Sequence, residues 1–359
     1  MPQSPRITVL MSVYNGEAYV AASIESILRQ SFRDFEFLII DDASTDRTSE
    51  ILGSFRDPRI RILRNSTNAG LTVNLNRGLK EAAGDLVARQ DADDLSHPER
   101  LAWQWNFLQA YPSVAAVGGQ AQLIDGAGRS QGKKDFPLGY RSIWWAHLFD
   151  NALAHSAVTF RKAAVLEAGG YDESYRASQD YELWSRLGER HMLANLPERL
   201  VTLRILETSV TRTHRQPELI RAIQTAHAAR LFPGRPLTAT ELDLLGQFRS
   251  RVEPASLPDF LALFHDLLEA FYAAWPGTRI SGEFCRTVAM QYERIGYNLL
   301  PVARGLGLKE IAKSVRIWPP RALSLPWLKI MALACLGDSA RRLYDRFASR
   351  KAGAELPRR

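Results

Sequence analysis

Asp85-Leu86-Val87-Ala88-Arg89-Gln90-Asp91-Ala92-Asp93-Asp94 is a short apolar run that ends in three carboxylates within four residues. Like charges this close repel, and their pKa values climb unless something positive sits among them. A divalent cation, Mg²⁺ or Mn²⁺, is a natural neutraliser, because hard cations take carboxylate oxygens. The same residues also read as a solvated acidic turn, with Asp94 or Ser96 capping a following helix. The surroundings of the run decide which reading holds.

Upstream the chain alternates strictly. Residues 7–13 (Ile-Thr-Val-Leu-Met-Ser-Val) read as a buried strand broken by Tyr14-Asn15-Gly16. Residues 18–30 have helical spacing, with Val20, Ile24, Ile27 and Leu28 on one face. A second strand over 35–40 stops at Asp41-Asp42-Ala43-Ser44-Thr45-Asp46. A helix from Thr48, a strand over 60–63, a helix over 72–83 and the strand 85–89 follow. Strand–helix alternation implies an α/β domain with a parallel sheet and helices on both faces. Ligands bind at the carboxyl ends of such strands, so Asp41-Asp42 and Asp91 to Asp94 are expected to share one crevice.

Downstream, helices are expected over 98–111, 142–148 and 181–190, and strands over 115–117, 122–124, 156–160 and 200–205. Residues 126–139 read as a loop rich in Gly, Lys and Asp. From about Pro217 only helical segments appear, so the expected division is a domain over 1–214 and a helical region over 215–359.

Composition narrows the class. Hydrophobic content of 46% and charged content of 24% suit a globular protein. Two cysteines argue against a disulfide framework or a structural zinc site and suggest a reducing, cytoplasmic setting. Neither a signal peptide nor a spanning helix is expected. The net charge of +7 is concentrated in residues 301–359, which hold 13 Lys+Arg against 4 Asp+Glu. There Trp327, Leu328, Ile330, Met331 and Leu333 precede Arg341, Arg342, Arg346, Arg350 and Lys351. This is the pattern of a basic amphipathic segment lying on an anionic membrane. No nucleic-acid motif accompanies it.

Each acidic motif has a functional and a plain reading. A carboxylate at Asp41-Asp42 can accept the imide N–H of uracil, while Asp46 is placed to cap the next helix. Asp91 and Asp93, two residues apart at a strand end, can reach one metal and through it two phosphate oxygens. Asp180 opens an amphipathic helix and serves either as its cap or as a general base near a metal-bound diphosphate. His155 reads as a core histidine, and His214 sits in an expected loop. Among the tryptophans, Trp103 and Trp105 at helical spacing read as core, and Trp144 and Trp145 are the better candidates for stacking on a sugar.

Taken together, residues 7–15, Ser26 to Ser31, Leu38 to Asp46, Asn68-Ala-Gly-Leu71, Asp91-Ala-Asp-Asp94, Gly169-Gly-Tyr-Asp172 and Gln179-Asp-Tyr-Glu-Leu-Trp184 resemble the family 2 glycosyltransferases. The resemblance covers about residues 5–210. It implies a GT-A fold, Rossmann-like with a mixed, mainly parallel sheet, and inverting transfer from a nucleotide-diphosphate sugar. Carried over by position, Ser12, Val13, Tyr14, Glu17, Asp41, Asp42 and Asn68 would frame the nucleoside. Asp91, Ala92 and Asp93 would meet the diphosphate, with Asp93 and Asp91 as metal ligands and Asp180 as the catalytic base. Gln179 stands where the family usually has Glu. The implied acceptor is a saccharide or lipid-linked hydroxyl in cell-surface polysaccharide synthesis. A nucleotidyltransferase would carry a Gly-rich basic loop after the first strand, where this chain has Tyr14-Asn15-Gly16-Glu17. A catalytically silent nucleotide-sugar-binding protein would not need both Asp93 and Asp180.

Overall fold

The computed structural model describes residues 5–206, 217–248, 254–299 and 304–318. The chain divides into two compact units, Met1–Gly246 and Gln247–Arg359. The first begins with β1 (Ile7–Val13), α1 (Val20–Leu28), β2 (Phe35–Asp41), α2 (Thr48–Ser54), β3 (Ile60–Arg64), α3 (Leu71–Glu81) and β4 (Leu86–Arg89). The four strands pair in parallel in the order β3-β2-β1-β4. Val9 lies beside Phe37 on one flank and Ala88 on the other. Strand periodicity sends neighbouring side chains to opposite faces. Val9, Met11, Phe37 and Ile39 therefore pack with Ile24, Ile27, Leu101 and Leu108 in one core. Leu10, Leu38, Ile40 and Val87 pack with Leu75, Leu79, Leu183 and Trp184 in the other. Burial on both faces explains why these strands are almost uniformly apolar.

The sheet then becomes mixed. The chain continues through β5 (Leu95–Ser96), α4 (Arg100–Ala110), β6 (Val114–Asp125), β7 (Ser130–Lys134) and α5 (Tyr140–Ala146). It completes the sheet with β8 (Thr159–Arg161), α6 (Lys162–Glu167), α7 (Gln179–Leu187) and β9 (Met192–Ile205). The full order is β3-β2-β1-β4-β8-β6-β9-β5, with β7 paired to β6. Strand β8 runs antiparallel to β4 and β6, whereas β6 and β9 are parallel. The expected GT-A arrangement, a mainly parallel sheet covered on both faces, is what forms.

Helices α8 (Pro217–Leu231) and α9 (Ala239–Gln247) follow. The side chain of His227 on α8 reaches the Trp144 carbonyl at 2.8 Å and Ser185 Oγ at 3.1 Å. Gln224 donates to the Leu148 carbonyl at 3.1 Å. The all-helical stretch thus begins inside the first unit, which runs on to Gly246. The second unit contains α10 (Leu257–Ala274), α11 (Gly282–Leu299) and α12 (Arg304–Ile317). Its core is aromatic, with Phe271 stacked on Phe284 at 5.0 Å and Phe264 edge-on to Tyr292 at 5.1 Å.

Several expected elements differ. The two strands expected over 115–117 and 122–124 are one strand, β6, with register shifts around Gly119 to Ala121. Gly118 and Gly119 lie within it and permit close approach. A Cβ on Gly118 would lie 2.3 Å from Asn195 Oδ1, and one on Gly119 would lie 2.4 Å from Leu200 Cγ. The expected loop over 126–139 contains β7, whose five residues are all exposed, so no apolar alternation marked it. Asp94 does not cap α4. It precedes the two-residue β5, and its Oδ1 accepts the Arg204 N–H at 2.8 Å. Ser96 lies in β5, which pairs with β9. Trp144 and Trp145 are not loop residues available for stacking. They lie in α5, 4% and 0% exposed. Trp103 and Trp105 pack against the core as expected.

Gly84, just before β4, shows how little slack the central sheet has. A Cβ there would lie 2.6 Å from Thr8 N and 2.7 Å from Ile7 C, both backbone atoms. Gly84→Ala is expected to destabilise the protein by about 1–3 kcal/mol, read as a lower melting temperature by calorimetry.

Candidate active site

The loops after β1 and β2 are stitched together by their own side chains. Asn15, in the left-handed region at φ 52°, accepts the Thr45 N–H through Oδ1 at 2.8 Å and donates its own N–H to Ser44 Oγ at 3.1 Å. Gly16 N–H donates to Thr48 Oγ1 at 2.8 Å. Asp46 accepts the N–H groups of Glu17 and Thr48 at 3.0 and 2.9 Å, so it does secure the start of α2. Glu17 answers by accepting the Arg47 N–H at 3.0 Å. Tyr14, half-exposed, stands out from this rim.

Asp41 and Asp42, both almost fully buried, organise what lies beneath. Asp41 accepts the Ser44 N–H at 3.0 Å and the Ser49 hydroxyl. Asp42 accepts from Asn65 Nδ2 at 2.6 Å, Ala69 N–H at 2.8 Å and Gly70 N–H at 2.9 Å. Burial works to raise its pKa, but the Ala69, Asn74, Asn65 and Gly70 hydrogen bonds together hold it below the usual carboxylate value. The turn that carries exposed Asn68 is thereby draped over Asp42. Ser12 and Val13, at the end of β1, lie beside Ile40 and Asp41.

The acidic run at the end of β4 rests on two buried guanidiniums. Arg89, 0% exposed, pairs with Asp91 and donates to the Leu10 carbonyl at 3.2 Å. Arg100, also 0% exposed, donates to Gln104, Gln90, Ser96 and the carbonyls of Arg89 and Val158. Burial, and next the nearby Arg89 charge, pushes the Arg100 pKa down to about 9. On the opposite side Arg204 donates to the Asp93 carbonyl at 3.1 Å and the Asp125 carbonyl at 3.0 Å, and stacks over Tyr19 at 4.3 Å. The sequence reading missed all three. An arginine inside an apolar strand, as at Arg89, was the available signal.

Asp93 is half-buried, and burial followed by the Asp91 charge pushes its pKa up to about 6. Asp94 is raised for the same reasons, with Asp93 adding to the repulsion. Among the described residues, no side chain donates to the Asp93 carboxylate. Arg204 and Arg89 only soften its field. Ala92 packs beside it against the core. A half-buried carboxylate held at a raised pKa, next to a second carboxylate, fits a hard divalent cation whose remaining ligands are phosphate and water. Among the described residues no group of three or more His, Cys, Asp or Glu converges as a protein-only metal cage.

Asp180 sits in the first turn of α7, two residues after Ser178, which has a φ of 60°. Asn151 Nδ2 donates to its Oδ2 at 2.7 Å. Burial raises the Asp180 pKa, the Tyr181 N–H and Asn151 oppose this, and the Asp91 charge adds to the rise. Tyr171, from the Gly-Gly-Tyr turn, is likewise influenced by the charges of Arg89, Asp180 and Asp91. His155 meets the Tyr171 hydroxyl at 2.9 Å and is kept neutral by burial and by Arg89, as expected for an internal histidine. His214 lies outside the described residues.

Asp41 and Asp42 at the end of β2 and Asp91 to Asp94 after β4 stand at the carboxyl edge of a doubly covered sheet, an arrangement that suits an enzyme binding its ligand there. The comparisons with known proteins carry this further. The family model for glycosyl transferase family 2 matches residues 8–162. EpsE of Bacillus subtilis is 35% identical over 210 residues, which are 57% of this chain and 74% of that one. The amylovoran biosynthesis glycosyltransferase AmsE of Erwinia amylovora is 30% identical over 55% of this chain and 75% of its own. The O-antigen biosynthesis glycosyltransferase WbnJ of Escherichia coli is 31% identical over 50% and 71%. Among solved structures, S. aureus TarS 1-349 in complex with UDP-GlcNAc superposes with a TM-score of 0.54 at 16% identity, covering 86% of this chain and 90% of that one. The chain belongs to glycosyltransferase family 2.

The crowding of Asp91, Asp93 and Asp94 gives a stability prediction. The folded pKa of Asp93, about 6, exceeds its ordinary 3.8, so the folded state binds this proton more tightly. Its ionisation therefore destabilises the fold increasingly as pH rises from about 4 through about 6. In EDTA at pH 7, Asp93→Asn should be more stable than wild type by about 1–3 kcal/mol, an advantage that vanishes near pH 4. Denaturant titrations at the two pH values check this, and a destabilised Asp93→Asn at pH 7 would contradict it.

Proposed function

We propose that this glycosyltransferase moves a sugar, with inversion, from a UDP-sugar to a hydroxyl of a saccharide or lipid-linked acceptor during cell-surface polysaccharide synthesis. The observation that carries the reading is the acidic run Asp91 to Asp94 just beyond the carboxyl end of β4, together with Asp180 in the first turn of α7, whose pKa the Asp91 charge helps to raise. The names of AmsE and WbnJ support the polysaccharide setting. TarS, solved with UDP-GlcNAc on this fold, supports the donor class.

In this reading Ser12, Val13, Tyr14, Glu17, Asp41, Asp42 and Asn68 frame the nucleoside. Asp91, Ala92 and Asp93 face the diphosphate. A Mg²⁺ or Mn²⁺ on Asp93, with Asp91 in support, would offset the negative charge that gathers on the departing diphosphate. Asp180 takes the proton of the acceptor hydroxyl, and the freed oxygen attacks the anomeric carbon opposite the leaving group. The new glycosidic bond forms as the bond to the diphosphate oxygen breaks, so configuration inverts. No carboxylate nucleophile is required, unlike a retaining glycosidase.

Asp93 and Asp180 then have separable phenotypes. In a thermal-shift screen of nucleotide sugars with Mn²⁺, a UDP-sugar should stabilise the wild type only with metal, and Asp93→Ala should lose that response. Asp180→Asn should keep the response yet lose transfer by about 10³-fold or more. Full transfer by Asp180→Asn would reject it as base, and a donor response unchanged in Asp93→Ala would reject the metal site.

The basic segment after residue 319 lies outside the described residues. Among those described, no helix is long and apolar enough to cross a membrane. We propose peripheral attachment through this segment at the inner face of the cell membrane. The full chain should float with phosphatidylglycerol vesicles, and replacing Arg341, Arg342, Arg346, Arg350 and Lys351 by Gln should release it. Equal partitioning of the two proteins would refute the attachment.

A further inference from the structure

Among the described residues, Asn151 is the side chain that donates a hydrogen bond to Asp180, and its own mounting is firm. Its N–H donates to Asp150 Oδ1 at 2.8 Å, and its Oδ1 accepts the Leu153 N–H at 3.3 Å. With Oδ1 so used, the amide is oriented and Nδ2 is the atom turned to Asp180. The next residue is held from two sides: Ala152 N–H donates to His147 Nδ1 at 3.2 Å, and the Ala152 carbonyl accepts from Asn195 Nδ2 at 2.9 Å. His147 and Asn195 are buried. A loop pinned this way presents one donor at a fixed place. Asp180 sits in the first turn of α7, two residues after Ser178, which is in the left-handed region.

We propose that Asn151 is a positioning residue for the base: by tying down Oδ2 it aims Oδ1 of Asp180 at the acceptor hydroxyl. The proposal rests on Asp180 being the base. The chemistry is unchanged by it, since the proton still passes from acceptor oxygen to Asp180. What changes is the fraction of time the receiving lone pair is in line, a preorganisation effect that acts on turnover and not on donor binding. Of the other groups near Asp180, Asp91 repels it and Tyr171 is engaged with His155, while the Tyr181 N–H and Asp180's own N–H also donate to the carboxylate; Asn151 adds the side-chain bond from outside α7.

The probe reaction is UDP release from UDP-glucose and from UDP-N-acetylglucosamine with Mn²⁺, in which water stands in for the acceptor hydroxyl. Asn151→Ala should lower kcat about 10–100-fold with KM for the nucleotide sugar within about twofold of wild type, and with an unchanged UDP-plus-Mn²⁺ thermal shift. In the Asp180→Asn background the same change should have no further effect, because a residue acting through Asp180 has nothing left to position. Asn151→Asp keeps the size and the Leu153 acceptor, so it guards against a folding defect. It sets two carboxylates against each other, so the acidic limb of its kcat profile should move up by about one pH unit or more, with activity recovering at higher pH. A multiplicative loss in the double variant, a raised KM with unchanged kcat, or an Asn151→Asp profile superimposable on wild type would each overturn the proposal. If Asp180→Asn itself releases UDP at the wild-type rate, the base assignment fails, and the proposal falls with it. If Asp180→Asn is inactive while Asn151→Ala is wild type, only the positioning role fails.

Discussion

Two arginine side chains with no access to water lie under the carboxylates of this protein, and much of the structure is arranged so that they can be there. A guanidinium cannot shed its charge to escape burial as a lysine can. Arg89 and Arg100 therefore need compensation inside the fold. Arg100 receives it from Gln104, Gln90, Ser96 and two backbone carbonyls, and Arg89 receives it from Asp91. Removing Asp91 would leave the buried Arg89 guanidinium without its carboxylate partner, a loss tempered by the one-third exposure of Asp91 itself. The carboxylates need the arginines as much as the reverse. Asp91, Asp93 and Asp94 are neighbours that repel one another; the raised pKa values of Asp93 and Asp94 reflect this, and the Arg89 and Arg204 charges offset part of it at Asp93.

This constraint links fold to chemistry. Asp91 is engaged by Arg89, whereas Asp93 has no such partner among the described residues. Two carboxylates two residues apart are thereby made unequal: one is held by a guanidinium, the other is not. Arg204 completes the division from the far side. It grips the carbonyls of Asp93, Asp125 and Gly126 and so ties the ends of β6 and β9 to the acidic run. Asp94 contributes by accepting the Arg204 N–H, which makes it a brace between β4 and β9.

The remaining strain also gathers here. Asn15, Ala43 and Ser178 are the non-glycine residues with positive φ among those described, and they follow β1, follow β2 and precede α7. Each such conformation costs about 1–3 kcal/mol and persists only where neighbours enforce it. Around Asn15 the enforcing bonds are visible in Ser44, Thr45 and Thr48.

Much of this was legible in the chain itself. The apolar runs of β1, β2 and β4, with helices between them, determined a parallel sheet, because strands buried on both faces must be apolar throughout. The carboxylates at the ends of those runs followed from the same periodicity, which placed Asp41, Asp42, Asp91 and Asp93 at one edge. Tertiary structure alone decided the rest. Strand β7 has no apolar pattern because both its faces meet water, and β6 runs through a glycine pair because backbone and side chains close on it from across the sheet. Trp144 turned inward because α8 covers it, through a contact between residues some 80 positions apart. The partners of the acidic residues, Asn151 for Asp180 and Arg204 for Asp94, are likewise distant in the chain. Periodicity is a property of neighbours along the chain and fixes which residues reach an edge. Which distant side chain meets them there depends on loop paths, and those are settled only when the sheet closes.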